Sequence, residues 1–125
     1  MAAVMNRSAL PAEVPGTGAI DTGHLSRMTL GELSLQREVL ALFDRQADLL
    51  LPRMRAGAPG VVAASAHVLK GSAAGIGAFR VMQAAGVVEQ AQSVNDPAAA
   101  AAALEVLAAL LAEAKAEIAR LLQAG

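Results

Sequence analysis

The sequence predicts an all-α fold, an antiparallel up-and-down four-helix bundle with one short additional helix at its N-terminal side. Alanine supplies 31 of the 125 residues, and alanine and leucine are strong helix formers. Aromatic residues make up only 2% of the chain, whereas β-sandwiches and barrels use many aromatic and β-branched residues. Four long segments also show a helical hydrophobic period and are joined by short loops, which favour antiparallel neighbours.

The first helix follows a segment that is rich in proline and glycine. Residues 1–19 show no sustained hydrophobic period, so we predict a disordered or loosely packed leader there and one domain over residues 20–125. A short helix is predicted to begin at Asp21, because Asp is a favourable N-cap. Ile20 and Leu25 lie on either side of this cap at the spacing of a hydrophobic staple.

The second and third helices are predicted from apolar residues that recur at three- and four-residue steps. The second has about five turns, with Pro52 near its end, and the third runs from Pro59 to Ala74. The predicted inward residues of the second helix are Leu35, Val39, Leu42, Phe43, Gln46, Leu50 and Met54. Those of the third are Val61, Ser65, Val68, Leu69 and Ser72.

The fourth helix is predicted over about Ala78 to Ser93, and the fifth over Pro97 to about Gln123. The fifth has a strong start signal, since Asp96 can cap the helix and a proline occupies its first position. The predicted inward stripes are Val81, Met82, Ala85 and Val88 in the fourth helix, and Leu104, Leu107, Leu111, Ala114, Ile118 and Leu121 in the fifth.

Composition excludes several functional classes. Ten basic and eleven acidic residues give a net charge of −1 without a basic tail, so no nucleic-acid partner is expected. The absence of cysteine excludes disulfides, zinc ribbons and thiol nucleophiles. The most apolar stretch, Pro97 to Ala112, is mostly alanine and contains Glu105, and the first twenty residues lack a continuous apolar core. We therefore expect a cytoplasmic protein without a membrane span, and a monomer, because one chain supplies all four helices.

His67 is the residue most suggestive of chemistry. It is predicted to point away from the apolar face of the third helix, with small residues and Lys70 as its helical neighbours. A neutral imidazole is a competent nucleophile near pH 7, and phosphoryl transfer needs an open in-line approach. A bulky residue at Gly71 would obstruct that approach, and Lys70 would balance the charge of a phosphoryl group. On this geometry alone, a surface histidine without a role is the commoner interpretation.

The residues from His67 to Ala78 decide between these interpretations. They contain His-x-x-Lys-Gly and then a Gly-Ala pair about ten residues after the histidine, which resembles the signature of the histidine-containing phosphotransfer (HPt) domain. Further similarities over roughly residues 20–122 are Ile20, Asp21 and Leu25, then Glu38, Leu42 and Phe43, and finally Val88 and Glu89.

This resemblance implies a phosphorelay intermediate that takes a phosphoryl group from one receiver-domain aspartate and passes it to another. It implies His67 as phosphoacceptor through Nε2, Lys70 as stabiliser of the phosphoryl group, and Gly71 as the residue that leaves room for the receiver. Glu89 is a candidate for orienting the other ring nitrogen, with a solvated carboxylate as the alternative. Receiver docking is expected on small and apolar residues around the histidine: Ala63, Ala64, Ala74, Ile76 and Phe79.

No phosphate-binding loop or carboxylate cluster for magnesium is evident, so no cofactor is expected on this chain and Mg²⁺ is expected on the receiver. The chain is then a phosphocarrier, not an enzyme with its own ATP site. The alternatives are a non-phosphorylated adaptor that binds a receiver or kinase domain, and a generic alanine-rich interaction protein. His24 matches no motif, so we expect a surface residue there, and no acidic partners suggest a metal pair with His67.

Overall fold

The computed structural model describes residues 18–124, and the leader predicted over residues 1–19 lies outside them except for its last two residues. Within this range the chain forms five helices and no strand. They are α1 (Thr22–Met28), α2 (Leu33–Ala56), α3 (Pro59–Ile76), α4 (Phe79–Ser93) and α5 (Pro97–Ala124). Helices α2 to α5 pack in chain order and α5 closes on α2, while α1 lies against α3. The predicted all-α bundle with a short first helix is confirmed.

The helix ends follow the local chemistry of the sequence. The Asp21 carboxylate accepts a hydrogen bond from the backbone N–H of His24 at 3.0 Å, and Asp96 accepts one from Ala99 at the same distance. Helix α3 runs two residues further than predicted and ends at Gly77, whose φ is +84°. A Cβ at this glycine would lie 2.7 Å from the backbone oxygen of Asp21, so both its conformation and its surroundings require glycine.

The core combines a few large aliphatic side chains with many alanines. The largest fully buried side chains are Leu69, Leu107, Leu111, Ile118, Val81 and Val88. Alanines fill the remaining positions, including completely buried ones on three helices: Ala66, Ala73, Ala85 and Ala114. The alanine-rich composition therefore serves the packing of the bundle as well as helix propensity.

The buried face of α3 differs from the predicted one. Val61 and Val68, predicted to point inward, are both 46% exposed, and the buried face is turned toward Ala66 and Ala73. In α2, Leu42 is likewise exposed. The prediction left Ala66 and Ala73 out of the inward face, but these two alanines are fully buried together with Leu69, and this rotation of α3 turns Val61 and Val68 to the surface.

Helix α5 is long and apolar enough to cross a bilayer by length and composition alone, with a mean hydropathy of 1.6 over an 18-residue window. Three of its large side chains, Leu107, Leu111 and Ile118, are buried in the core of the bundle. Core helices of helical bundles can meet the same criterion, and 33% of this window is buried inside the bundle.

Candidate functional site between α3 and α4

His67 lies in the middle of α3 on the face that points away from the core. Its side chain is 67% exposed, which confirms the predicted orientation. Lys70 follows one turn later on α3, and Glu89 reaches both residues from the facing surface of α4. The tight α3–α4 connection through Gly77 sets these two helices side by side and so brings Glu89 to the histidine.

Glu89 bridges the other two side chains with its two carboxylate oxygens. Oε2 lies 2.8 Å from Nδ1 of His67, and Oε1 accepts a hydrogen bond from Nζ of Lys70 at 2.6 Å. An ionised carboxylate only accepts hydrogen bonds, so we assign the proton of the neutral imidazole to Nδ1. The lone pair of Nε2 then faces solvent, where it is available as a nucleophile.

The charge of Glu89 is stabilised by these neighbours. The hydrogen bond from Lys70, followed by the one from His67, lowers the pKa of the Glu89 carboxyl below its ordinary value of 4.5. The carboxylate therefore stays ionised and remains an acceptor for Nδ1–H at neutral pH. The alternative interpretation, a carboxylate that only faces solvent, is wrong for Glu89.

A shallow cavity of about 400 Å³ lies beside the imidazole. It is lined by His67, Lys70, Gly71, Ala74, Met82, Gln83 and Gly86. A Cβ added at Gly71 would have no atom within 4 Å, and one added at Gly86 would approach only Cδ of Lys70, at 3.6 Å. Access to the histidine is thus open on the α3 side, and the stem of Lys70 lies along a glycine of α4.

Three of these lining residues belong to α4 and were not predicted as part of the site. Met82 and Gly86 are spaced four residues apart, and Glu89 follows three residues later on the same stripe of the helix. The helical period therefore places Met82 and Gly86 in the site once Glu89 is known to face His67, but it does not show that Glu89 faces His67. Met82 lines this cavity instead of lying deep in the predicted inward stripe.

The five predicted docking residues occupy different environments. Ala64 is exposed, Ala63 and Ala74 are half-buried, and Ala74 lines the cavity. Ile76 is only 6% exposed, so its place on an exposed docking surface is wrong, because the last turn of α3 directs it into the core. Phe79 is half-buried, with its ring centroid 5.0 Å from that of His24 in an edge-to-face arrangement.

Exposed apolar residues also lie on α2 and α3, and three of the four, Leu42, Val61 and Val68, were predicted to point inward. We call these four residues the α2–α3 apolar face, which consists of Leu42, Leu49, Val61 and Val68. Leu42 and Leu49 line one groove with Ser72 of α3, and Val68 lies one turn before Ser72. Val68 directly follows His67 in the chain, so these two exposed side chains point about 100° apart around α3.

His24 is a packing residue, so the prediction of a plain surface residue is wrong. Its Nε2 lies 3.1 Å from the backbone oxygen of Ala74, and its ring contacts Phe79. These contacts, with the hydrogen bond from the N–H of Asp21 to the Gly77 oxygen, attach α1 to the end of α3. Across residues 18–124, no group of three or more His, Cys, Asp or Glu residues could hold a metal ion.

Comparisons with known proteins agree with this architecture. No family model and no curated protein match the chain. The X-ray structure of a "putative histidine-containing phosphotransfer protein" from rice is similar, with a TM-score of 0.74 and 22% sequence identity. The similarity covers 85% of this chain and 81% of the rice protein. The chain therefore has the fold of an HPt-type helical bundle.

Proposed function

We propose that this protein is a phosphorelay intermediate that accepts a phosphoryl group on His67 from the aspartate of one receiver domain and passes it to the aspartate of another. The observation that carries this proposal is the hydrogen bond between Nδ1 of His67 and Glu89, which leaves Nε2 exposed with its lone pair free. The HPt-type fold supports it.

The proposed transfer conserves charge and atoms. The lone pair of Nε2 attacks the phosphorus of an aspartyl phosphate, a P–N bond forms, and the P–O bond to the aspartate breaks with its electron pair going to the carboxylate. The imidazole keeps its proton on Nδ1 and becomes cationic. The Glu89 carboxylate, which already accepts this proton in a hydrogen bond, stabilises that cation. Transfer to the second receiver reverses these steps.

Lys70 and Gly71 have complementary roles in this proposal. Lys70 supplies a positive charge for the phosphoryl oxygens from the next turn of α3. Gly71 keeps the approach to Nε2 clear, in agreement with the empty space around its Cα. Chemistry that needs Mg²⁺ is assigned to the receiver domain, and no cofactor is assigned to this chain.

The docking surface for the receiver is proposed to include the small residues Ala63, Ala64 and Ala74. We propose that the α2–α3 apolar face extends this surface, since Val68 and His67 are consecutive exposed residues of α3. A transient partner has to leave after transfer, which suits an interface of modest area. We further propose that the chain acts as a cytoplasmic monomer, with residues 20–125 as the transfer domain.

The test is incubation with a phosphorylated receiver domain, using wild type and His67→Gln. We expect wild type to carry a label that survives base and is lost in acid, as a phosphorus–nitrogen bond to histidine requires, and we expect the variant to carry none. Circular dichroism of both proteins controls for folding, since residue 67 is exposed and its substitution leaves the core intact. Equal labelling of the two proteins would overturn the proposal.

The same variant separates the relay from an adaptor that binds a receiver without being phosphorylated. An adaptor would bind and function equally well with glutamine at position 67. Loss of label together with unchanged binding of the receiver is the result expected for a relay whose docking surface extends beyond the histidine.

A further inference from the structure

We infer that Glu89 competes with the phosphoryl group for Lys70, so that the lysine changes partner each time His67 is phosphorylated. This inference rests on the proposed function and concerns the state of the site before transfer. It makes Glu89 a positioning residue with two effects: it orients the imidazole, and it holds the lysine back from the incoming phosphoryl group.

The geometry that leads to this inference is the sharing of one carboxylate by two donors. Nζ of Lys70 is bound to Glu89 at 2.6 Å, the same carboxylate that accepts the proton of Nδ1. The ammonium is therefore occupied in the unphosphorylated protein. To donate to a phosphoryl oxygen on Nε2, it has to give up or share its hydrogen bond with Glu89.

The surroundings of Lys70 allow this exchange. Its stem lies along Gly86, which carries no side chain, and Gly71 next to it leaves open space. The lysine side chain is 37% exposed, and it lines the same cavity as His67. A phosphoryl group on Nε2 would lie one helical turn from Lys70, within reach of a long flexible side chain.

The charges decide which partner Lys70 prefers. A phosphoryl group carries more negative charge than a carboxylate and offers three acceptor oxygens, so it attracts the ammonium more strongly. The benefit of that new contact is reduced by the loss of the bond to Glu89. Lys70 should therefore contribute less to phosphorylation than it would if the carboxylate were absent.

A double-mutant cycle between Lys70→Gln and Glu89→Gln tests this competition. Glutamine at position 89 still accepts the Nδ1 proton, but it does not hold the ammonium by charge. The rate of His67 labelling is measured with phosphoramidate, a small donor that needs no docking surface. We expect Lys70→Gln to slow labelling about two- to fivefold more in the Glu89→Gln background than in wild type, the size of an exposed ion pair.

An equal or smaller effect of Lys70→Gln in the Glu89→Gln background would overturn the inference, because it would mean independent contributions or a purely structural tie. Glu113→Gln is the matched control, since Glu113 pairs with Arg80 across α4 and α5, and its cycle with Lys70→Gln should be additive. Labelling of wild type by phosphoramidate but not by a receiver would refute the proposed function alone. No labelling by either donor would refute both.

Discussion

Two interfaces between neighbouring helices, which we call seams, each contain a lysine whose Nζ lies 2.6 Å from a carboxylate oxygen of the other helix. The surroundings of these two lysines differ. Between α2 and α5, Lys115 is bound to Asp44 and also to Asp48, at 2.8 Å. Between α3 and α4, a single carboxylate, Glu89, serves both Lys70 and His67. The first seam has two acceptors for one cation, and the second has one acceptor for two donors.

The ratio of donors to acceptors separates a structural tie from a candidate anion site. Lys115 is saturated by carboxylates, and its cluster has an excess of negative charge that would repel a phosphoryl group. The site at His67 has donors in excess, and glycines instead of larger side chains lie beside it. Similar residue types thus form an ion-pair cluster in one seam and the proposed phosphoacceptor site in the other.

A substitution that obstructs only the α3–α4 seam should produce the largest change in the rate of phosphoryl transfer. We expect Gly71→Leu to lower the rate of phosphoryl transfer from a receiver by about tenfold or more, since a branched side chain beside Nε2 would block in-line approach. The fold should persist, because the space around Gly71 is open. Transfer rates and thermal melts of Gly71→Leu and Gly71→Ala check this, and an unchanged rate for the leucine variant would contradict the steric argument.

Replacing the lysine of each seam in turn should show that the two seams differ in their effect on the rate of phosphoryl transfer. Lys115→Met is expected to lower the free energy of unfolding, by about 0.2–1 kcal/mol for a partly exposed ion pair, because it leaves Asp44 and Asp48 without their cation. Its transfer rate should match wild type. Lys70→Met also removes an exposed ion pair, with Glu89, but unlike Lys115→Met it is expected to reduce the transfer rate. Urea unfolding combined with labelling kinetics measures both effects, and a transfer defect in Lys115→Met would break the distinction.

The contributions of the two seams to the free energy of unfolding should also be lost at opposite extremes of pH. This is the smallest of the effects expected here. The pKa of Glu89 is lowered by Lys70 and His67, so its contribution to stability is present above pH 4.5 and is lost as the pH falls through its pKa in the folded protein. Burial alone would lower the pKa of Lys115, but the hydrogen bonds that its ammonium donates to Asp44 and Asp48 raise it. Its contribution is present below pH 10.5 and is lost as the pH rises further.

Urea midpoints measured across pH check these directions with matched variants. The difference between wild type and Glu89→Gln should shrink in acid and stay constant from neutral to mildly alkaline pH. The difference between wild type and Lys115→Met should shrink in alkali and stay constant in the moderately acidic range. A reversed pattern for either pair would show that the assigned partners do not set these pKa values.

The sequence by itself determined the helix content, the starts of α1 and α5, and the central histidine. Alanine and leucine propensity and the caps at Asp21 and Asp96 act over a few residues, so they are visible without the fold. The exposure of His67 also followed from helical period, because it lies opposite Leu69 and Ile76, which are buried residues of α3.

Only the tertiary structure decided which apolar residues are buried and which partners meet across helices. Val68 and Leu42 are exposed and Ile76 is buried. The rotation of each helix about its own axis is set by how its buried side chains, alanines included, pack against neighbouring helices. The size of each residue does not reveal this rotation. The joint contact of Glu89 with His67 and Lys70 likewise depends on the register of α4 against α3. Contacts between distant segments arise from packing, and helical period alone does not specify them.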